Sequence, residues 1–201
     1  MEPWTTPVIL EGRGVSLLPL DLSHIDGLRA ASCDGELWEL WFTSIPDPDH
    51  TAAYVRTALE LQAAHNALPF VVIENATGTI IGTTRYCNVD NRNQRLEIGY
   101  TWYAKSFQRT GVNTACKLLL LTHAFEQLGA IAVEFRTHWH NFPSRTAIAR
   151  LGAKQDGILR QHHKNADGSY RDTVVFSIIN SEWPTVKNHL EYKRNHPEPR
   201  P

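Results

Sequence analysis

The chain has 201 residues, with 20 Lys plus Arg against 21 Asp plus Glu and a formal charge of −1 when histidines are neutral. That balance excludes a generic polyanion binder, whose affinity comes from many cationic phosphate contacts, so no nucleic-acid partner is expected. At 42% apolar and 20% charged residues, the composition excludes a disordered chain, and this length suits one domain that buries a sizeable core.

Val15, Leu17 and Leu18 end at Pro19 and read as a short strand. Asp21 or Ser23 can cap a helix carrying Ile25, Leu28 and Ala31. A second helix follows Pro46 and Pro48, with Thr51 as its expected cap and Tyr54, Val55, Ala58, Leu59 and Gln62 at helical spacing. The period then changes. Pro69 to Ile73 is β-branched and aromatic, stops at the turn signal Asn75 to Gly78, and pairs as a hairpin with Thr79 to Tyr86. Asp90-Asn91 begins another turn, and Leu96 to Tyr103 makes a third consecutive strand. Asn113 to Leu128 is helical and stops at Gly129. Ile131 to Thr137 is a strand, and Ser144 to Leu151 a short helix closed by Gly152. Two last strands, Gly157 to His163 and Thr173 to Ile179, flank the turn residues Asn165, Asp167 and Gly168. The order β-α-α-β-β-β-α-β-α-β-β predicts a mixed α/β fold, one central mixed sheet with helices on both faces. A single domain over 8–190 is expected, with 191–201 as a flexible, proline-rich tail.

Cys33, Cys87 and Cys116 are widely separated and form no CxxC pair, which argues against a disulfide framework or a Cys-rich zinc site. Ten histidines are present without HExxH or Cys/His spacing, so no metal is expected. The opening MEPWTTPVILEGRG lacks a basic region followed by a long apolar one, and apolar runs such as Leu118 to Leu121 fall far short of a membrane span. A cytoplasmic protein without membrane partners is the default expectation.

Leu96 to Leu128 is the most informative segment: a strand runs into a loop, Gly111 permits a tight approach, and a long amphipathic helix begins at once. Free backbone N–H groups at the positive end of a helix make a ready anion site. Neither GxxxxGK[ST] nor GxGxxG is present. On shape alone, a helix start that merely needs a glycine turn accounts for the segment equally well.

The wider text adds to this. Gln108-Arg109-Thr110-Gly111-Val112-Asn113 resembles the [R/Q]xxGx[G/A] loop of the GNAT superfamily of acetyl-CoA-dependent N-acetyltransferases, with Asn113 where glycine or alanine is usual. Asn141-Phe142-Pro143-Ser144 and Ile148-Ala149-Arg150-Leu151-Gly152-Ala153 resemble the NxxS…LGF stretch of the ribosomal-protein (RimJ/RimL-like) branch, with Ala153 in place of phenylalanine. The resemblance covers roughly residues 8–190. It implies a GNAT-type sheet whose fourth and fifth strands splay apart at a bulge, and acetyl-CoA as co-substrate. Backbone amides of Arg109, Thr110, Gly111, Val112 and Asn113, with Gln108 and the Arg109 side chain, would hold its pyrophosphate. The backbone of Thr101, Trp102 and Tyr103 would pair with the pantetheine arm like an added strand and polarise the thioester carbonyl. Asn141 would hydrogen-bond the same arm.

Acetyl transfer needs a neutral attacking amine and a protonated leaving thiolate. By its strand position and by the resemblance, Glu97 is the candidate base. Four residues at ~3.3 Å each place it about 13 Å along the chain from Thr101, so action through water stands beside direct action. A carboxylate paired with Arg95 or Arg92 at a strand end explains Glu97 as well. Ser144 is the candidate acid, because the tyrosine position of many GNAT enzymes is Ile148 here; it also reads as an N-cap of its helix. Trp38, Trp41, Arg85 and Trp139 are candidates for the acceptor wall, with Phe42, His138, His140, His162, His163 and Tyr170 nearby. Trp41 and Phe42 are equally readable as core, His138 and His140 as a polar rim on one side of a strand end, and Cys116 as a small buried residue.

The resemblance therefore implies an N-acetyltransferase acting by direct attack of a primary amine, from a protein N-terminus or a small molecule, in a ternary complex. The alternative is an acyl-CoA-binding GNAT-fold module that transfers nothing. Related enzymes are often dimeric, and a homodimer is the assembly the resemblance allows.

Overall fold

Strand β3 (Ala67–Glu74) explains the layering of the molecule. Side chains alternate across a strand, so Leu68, Phe70 and Val72 enter one apolar cluster and Val71 the opposite one. A strand covered on both faces needs a near-continuous apolar run, which is what ALPFVVI supplies. In this computed structural model, which describes residues 3–165 and 167–196, β3 lies inside an 8-stranded sheet of order β1-β2-β3-β4-β5-β6-β8-β7. The other strands are β1 (Leu10–Glu11), β2 (Val15–Pro19), β4 (Thr79–Asp90), β5 (Arg95–Tyr103), β6 (Ala132–His138), β7 (Lys154–Lys164) and β8 (Tyr170–Ile179). Neighbours are antiparallel except β5 and β6, which run parallel.

One face is covered by α1 (Ile25–Cys33) and α2 (Thr51–Ala63), through Leu28, Val55 and Ala58 against Val71 and Trp102. The other is covered by α3 (Val112–Thr122) and α5 (Trp183–Asn195), with Cys116, Leu120, Leu121, Trp183, Val186 and Leu190 on the larger cluster. The short α4 (Phe142–Arg150) adds Ile148 to that cluster. After Thr122 the helix widens into a π turn, His123–Gln127, and ends before Gly129 at φ 73°. The expected order holds, and mixed α/β layering with helices on both faces is observed.

Several expectations need correction. β1 and α5 extend the predicted order at its two ends. The chain is helical as far as Asn195, so a tail does not begin at 191; residues 197–201 lie outside the described residues. Trp183 donates to Glu126 Oε1 at 2.8 Å, as does Lys187, and its ring stacks on Phe125, which ties α5 to the end of α3. Thr51 does not cap α2: His50 holds the cap position without a side-chain bond, and the Thr51 hydroxyl donates to Asp47 O at 2.9 Å. Asp21 does cap, accepting from Ser23 N at 2.7 Å ahead of a single 3-10 turn that runs into α1. No helix among the described residues is long and apolar enough to cross a membrane.

β4 passes close against β5 at Gly82. A methyl group at Gly82 would lie 2.1 Å from the Trp102 carbonyl oxygen and 2.9 Å from Tyr103 Cα, both backbone atoms that cannot rotate away. Gly82→Ala is expected to lower stability by about 3 kcal/mol, read as a fall in the urea midpoint. An unchanged midpoint would mean that the two strands part freely there.

Candidate active site

β5 and β6 pair over only three residues, Arg95–Glu97 against Ala132–Glu134. Beyond Glu97 the two strands diverge. The cause is visible on the other edge of β5, where Gly99 faces Arg85 and Trp102 faces Thr83, leaving Tyr100 and Thr101 opposite Thr84 alone. This is a β-bulge, with Tyr100 in the left-handed region at φ 52°. It bends β5 away from β6, so the β6-side edge of Thr101, Trp102 and Tyr103 is left without a neighbouring strand.

The chain then turns from β5 into α3. Gln108 donates through Nε2 to Tyr103 O at 3.0 Å, and Thr110 donates through Oγ1 to Phe107 O at 2.6 Å, which pins the loop. Arg109 (φ 60°) and Gly111 (φ 92°) are both left-handed. Gly111 is the N-cap of α3 and carries no side chain to cap it. The N–H groups of Val112, Asn113 and Thr114 therefore have no acceptor within their helix. A set of donors without an acceptor, beside an exposed Arg109, suits a pyrophosphate. Asn113 is tied sideways, its Oδ1 accepting from the Tyr103 hydroxyl at 3.4 Å.

Glu97 stands at the point where the strands part. Only 8% exposed, its Oε2 accepts from Asn88 Nδ2 at 2.8 Å and lies 3.5 Å from Arg136 Nε. The pairing with Arg95 or Arg92 is not found. Arg95 pairs with Glu134, whose other oxygen holds Arg136 Nη2 at 3.0 Å. Burial pushes the Glu97 carboxyl above the ordinary glutamate range, opposed by the Asn88 hydrogen bond and the Arg136 charge. Such a group can exchange a proton nearer neutrality than a surface carboxylate can.

Across the gap, β6 runs into α4. Asn141, not Ser144, is the N-cap: its Oδ1 accepts from Ser144 N at 3.1 Å. Ser144 sits in the first turn, and among the described residues its hydroxyl makes no hydrogen bond. His138 and His140 point to one side as expected, and Trp41 meets both rings, with centroids 5.0 and 5.8 Å apart. Trp41 is 67% exposed, so it is not core; Phe42 packs on its edge at 5.6 Å. Trp38 is half-buried in the same segment. Trp139 is not brought to this group: it packs on the main core under the Arg145 guanidinium, 4.2 Å from its ring centre. The His162 and His163 rings meet at a tilt, with centroids 4.1 Å apart, and His162 Nδ1 lies 3.1 Å from Thr173 Oγ1, while Tyr170 is exposed at the start of β8.

Three neighbours of this region escaped sequence reasoning. Arg85 was a candidate, but its partners Tyr54 and Tyr100, which clasp its guanidinium, were not. Lys117, on α3, is buried beneath the bulge, with Nζ 2.6 Å from Thr101 Oγ1 and 3.4 Å from Thr84 Oγ1. Its signal was present in the text as a lone cation on the apolar face CKLLLL. Cys116 is buried in the same helix, and burial raises its thiol to about 11. Among the described residues, no three His, Cys, Asp or Glu side chains gather as a metal site.

Residues 15–154 match the acetyltransferase (GNAT) domain. The chain belongs to the GNAT acetyltransferase family. Among solved structures, it is similar to a GCN5-related N-acetyltransferase from Brucella melitensis, 30% identical with a TM-score of 0.83 over 94% of this chain and 86% of that one. Mycobacterium smegmatis RimJ, solved in complex with CoA-disulfide, shares the fold at 21% identity and a TM-score of 0.76, over 94% and 95% of the two chains. A Bacillus subtilis (strain 168) protein provisionally named ribosomal N-acetyltransferase YdaF is 34% identical over 110 residues, which span 55% of this chain and 59% of that protein. In this GNAT domain the splayed strands, the bulge and the uncapped helix start all fall within the matched residues.

The buried Lys117 ammonium makes stability depend on pH. Burial lowers its pKa from 10.5 to about 8. Between those values the unfolded chain still holds the proton that the native protein has lost, so native stability rises with pH across that window. Lys117→Met is expected to lack this rise and to gain most over wild type near pH 7, on the order of 3 kcal/mol at most. Urea midpoints at a series of pH values measure it; parallel curves for the two proteins would refute it.

Proposed function

We propose that this chain transfers the acetyl group of acetyl-CoA to a primary amine by direct attack in a ternary complex. The observation that carries the reading is the parting of β5 from β6 immediately after Glu97, with an uncapped helix start at one end of the opened edge. Acetyl-CoA supplies the activated thioester. The amides of Arg109 to Asn113 and the Arg109 side chain hold its pyrophosphate, and the free edge of Thr101 to Tyr103 takes the pantetheine arm. Asn141 keeps Oδ1 on its own helix and has its amide N–H groups for the same arm. A backbone amide of β5 polarises the carbonyl.

Glu97, directly or through water, accepts a proton from the amine. The new N–C bond forms as the C–S bond breaks, and the Ser144 hydroxyl gives the departing sulfur its proton. The proton on Glu97 leaves to solvent, and Ser144 is reprotonated from it, so the amine proton is balanced by the thiol proton. Trp38, Trp41 and the His138–His140 pair form the rim on the acceptor side. A protein N-terminal amine is supported by the likeness to YdaF, whose name refers to the ribosome; a small amine fits the same chemistry. The reading carries a cytoplasmic site of action and allows a homodimer. A partly raised base and an unengaged hydroxyl favour transfer over a module that only binds acyl-CoA.

Calorimetry is expected to show saturable binding of acetyl-CoA and none of free pantetheine; absence of both would remove the reading. Glu97→Gln is expected to lower turnover by roughly 10² to 10⁴ while leaving acetyl-CoA affinity unchanged, and Ser144→Ala to lower it with the same affinity. Because the base form is needed and burial raises this carboxyl, kcat/KM is expected to fall on the acid side at a pH above the ordinary glutamate value. Loss of that acid limb in Glu97→Gln, in an acetyl-CoA thiol-release assay, identifies the group; an unchanged profile assigns the limb elsewhere.

A further inference from the structure

Arg85 is 1% exposed, yet its Nε and Nη2 have no hydrogen-bond partner, and among the described residues no carboxylate pairs with it. These two atoms form one edge of the guanidinium, with parallel N–H bonds spaced to receive the two oxygens of a carboxylate. A buried guanidinium with that edge empty bears a desolvation penalty that a satisfied one recovers in hydrogen bonds. What holds it in place is aromatic: its carbon lies 4.0 Å from the Tyr100 ring centre and 4.9 Å from that of Tyr54. The Tyr54 hydroxyl is itself buried without a partner. Arg171, from β8, lies within electrostatic reach of Glu97 and Tyr100, and its Nε is likewise unpartnered.

These groups share the sheet face that carries the candidate base. Thr84 points toward Lys117 of α3, so Arg85 points to the opposite face, as its contact with Tyr54 of α2 requires. Cys87 is opposite Glu97 and Arg85 opposite Gly99, which makes Arg85 and Glu97 diagonal neighbours about 7–8 Å apart. Between them is Gly99, where a Cβ would lie 3.2 Å from Glu97 Oε1 and 3.1 Å from Cys87 Sγ. The glycine keeps that floor low.

We propose that Arg85 is the receptor for a carboxylate on the acceptor, so that this protein acetylates an amine that carries a carboxylate a few bonds from its nitrogen. The proposal rests on the acetyl-transfer reading and deepens it by naming the acceptor class. The amine faces Glu97 and the carboxylate takes the Nε/Nη2 edge, with the Tyr54 hydroxyl as a further donor. A single negative charge matches one guanidinium, whereas a phosphate dianion would bring a second charge beside the Glu97 carboxylate. Tyr100, 46% exposed and held at the bulge, is the ring that covers Arg85 from solvent and moves aside for the ligand. The carboxylate has two sources: the α-carboxylate of a free amino acid, or an acidic side chain near a peptide N-terminus.

Acceptor pairs that differ only in this group separate the sources. Free amino acids are compared with their amides, and peptides bearing Asp or Glu at the second or third position with their Asn or Gln counterparts. In one of the two series the carboxylate member is expected to show a KM lower by about tenfold or more. Arg85→Lys, which keeps the charge but loses the fork, and Arg85→Gln are expected to erase that preference with acetyl-CoA affinity unchanged. A readout independent of turnover is the Arg85 Nε–H resonance of ¹⁵N-arginine-labelled protein, assigned by its loss in Arg85→Lys and titrated with sodium formate against sodium chloride. A saturable formate shift together with the KM preference supports the proposal. Equal KM values within both series, or an Arg85 resonance that ignores formate, overturns it. A formate shift without thiol release from any acceptor overturns acetyl transfer, and the acceptor role with it, leaving an anion site alone.

Discussion

The structure turns on a sheet that is not allowed to close. Two parallel strands side by side would normally pair along their shared length, satisfying every backbone group between them. Here the pairing stops at Glu97, because two residues of β5 oppose one of β4 and the strand must bend. The bulge requires Tyr100, a residue with a full side chain, to adopt a left-handed conformation, at roughly 1–2 kcal/mol. That expense is met by the flanking architecture. Gly82 lets β4 close on Trp102 on one side, and the Thr84 hydroxyl holds Thr101 from beneath, while the Lys117 ammonium bonds the same oxygen at a desolvation cost of its own. The consequence is a free strand edge inside an otherwise paired sheet, fixed at its root by the last paired residues.

Everything assigned to chemistry is placed by that divergence. Glu97 is the last residue to pair with β6, so its backbone is rigid while its side chain borders the gap. Asn141 and Ser144 follow the end of β6, at the start of α4. Alternation along β5, β6 and β8 sends the apolar side chains Ile98, Phe135 and Val174 to the α3 face, and Glu97, Arg136 and Arg171 to the other. The face beyond α1 and α2 is therefore polar by the period of the strands alone. Glu134 is engaged by both Arg95 and Arg136, which leaves Glu97 among guanidinium groups that outnumber it. Such a field keeps a buried carboxylate from drifting too far upward and draws anions toward the same face.

Much of this was legible in the residues, for identifiable reasons. The central strands and α3 declared themselves through their apolar period, from PFVVI to CKLLLL, which only Lys117 interrupts. The GNAT resemblance singled out the loop and Glu97 as candidates because those segments are contiguous in the chain. α5 was missed although Trp183, Val186 and Leu190 recur at helical spacing: its remaining positions are polar, and it begins at a Trp-Pro pair that reads as a break. The Asn141 cap was hidden by Pro143, which makes Ser144 look like the start of the helix when the proline already occupies its first turn. The partners of Glu97 and Arg85 could not be read at all. They come from β4, β6, β8 and α2, and only the sheet register brings Asn88, Arg136, Arg171 and Tyr54 to them. Trp139 misled for the opposite reason: one step along a strand end sends a side chain to the other wall, away from His138 and His140.

The departure at Asn113 is resolved by the same geometry. A glycine or alanine is usual there in the loop it resembles, and a longer side chain that folded back would cap the first N–H groups of the helix. Asn113 does not fold back. Its amide oxygen faces the Tyr103 hydroxyl, and the helix has no side-chain cap. The substitution thus spends its hydrogen-bonding capacity on the end of β5 instead of on the helix that follows. Since Gln108 also bonds Tyr103, through the carbonyl, the loop is anchored to one strand residue at both of its ends. Holding both ends to Tyr103 fixes the mouth of the helix relative to the open edge, the distance that a ligand spanning from one to the other has to match.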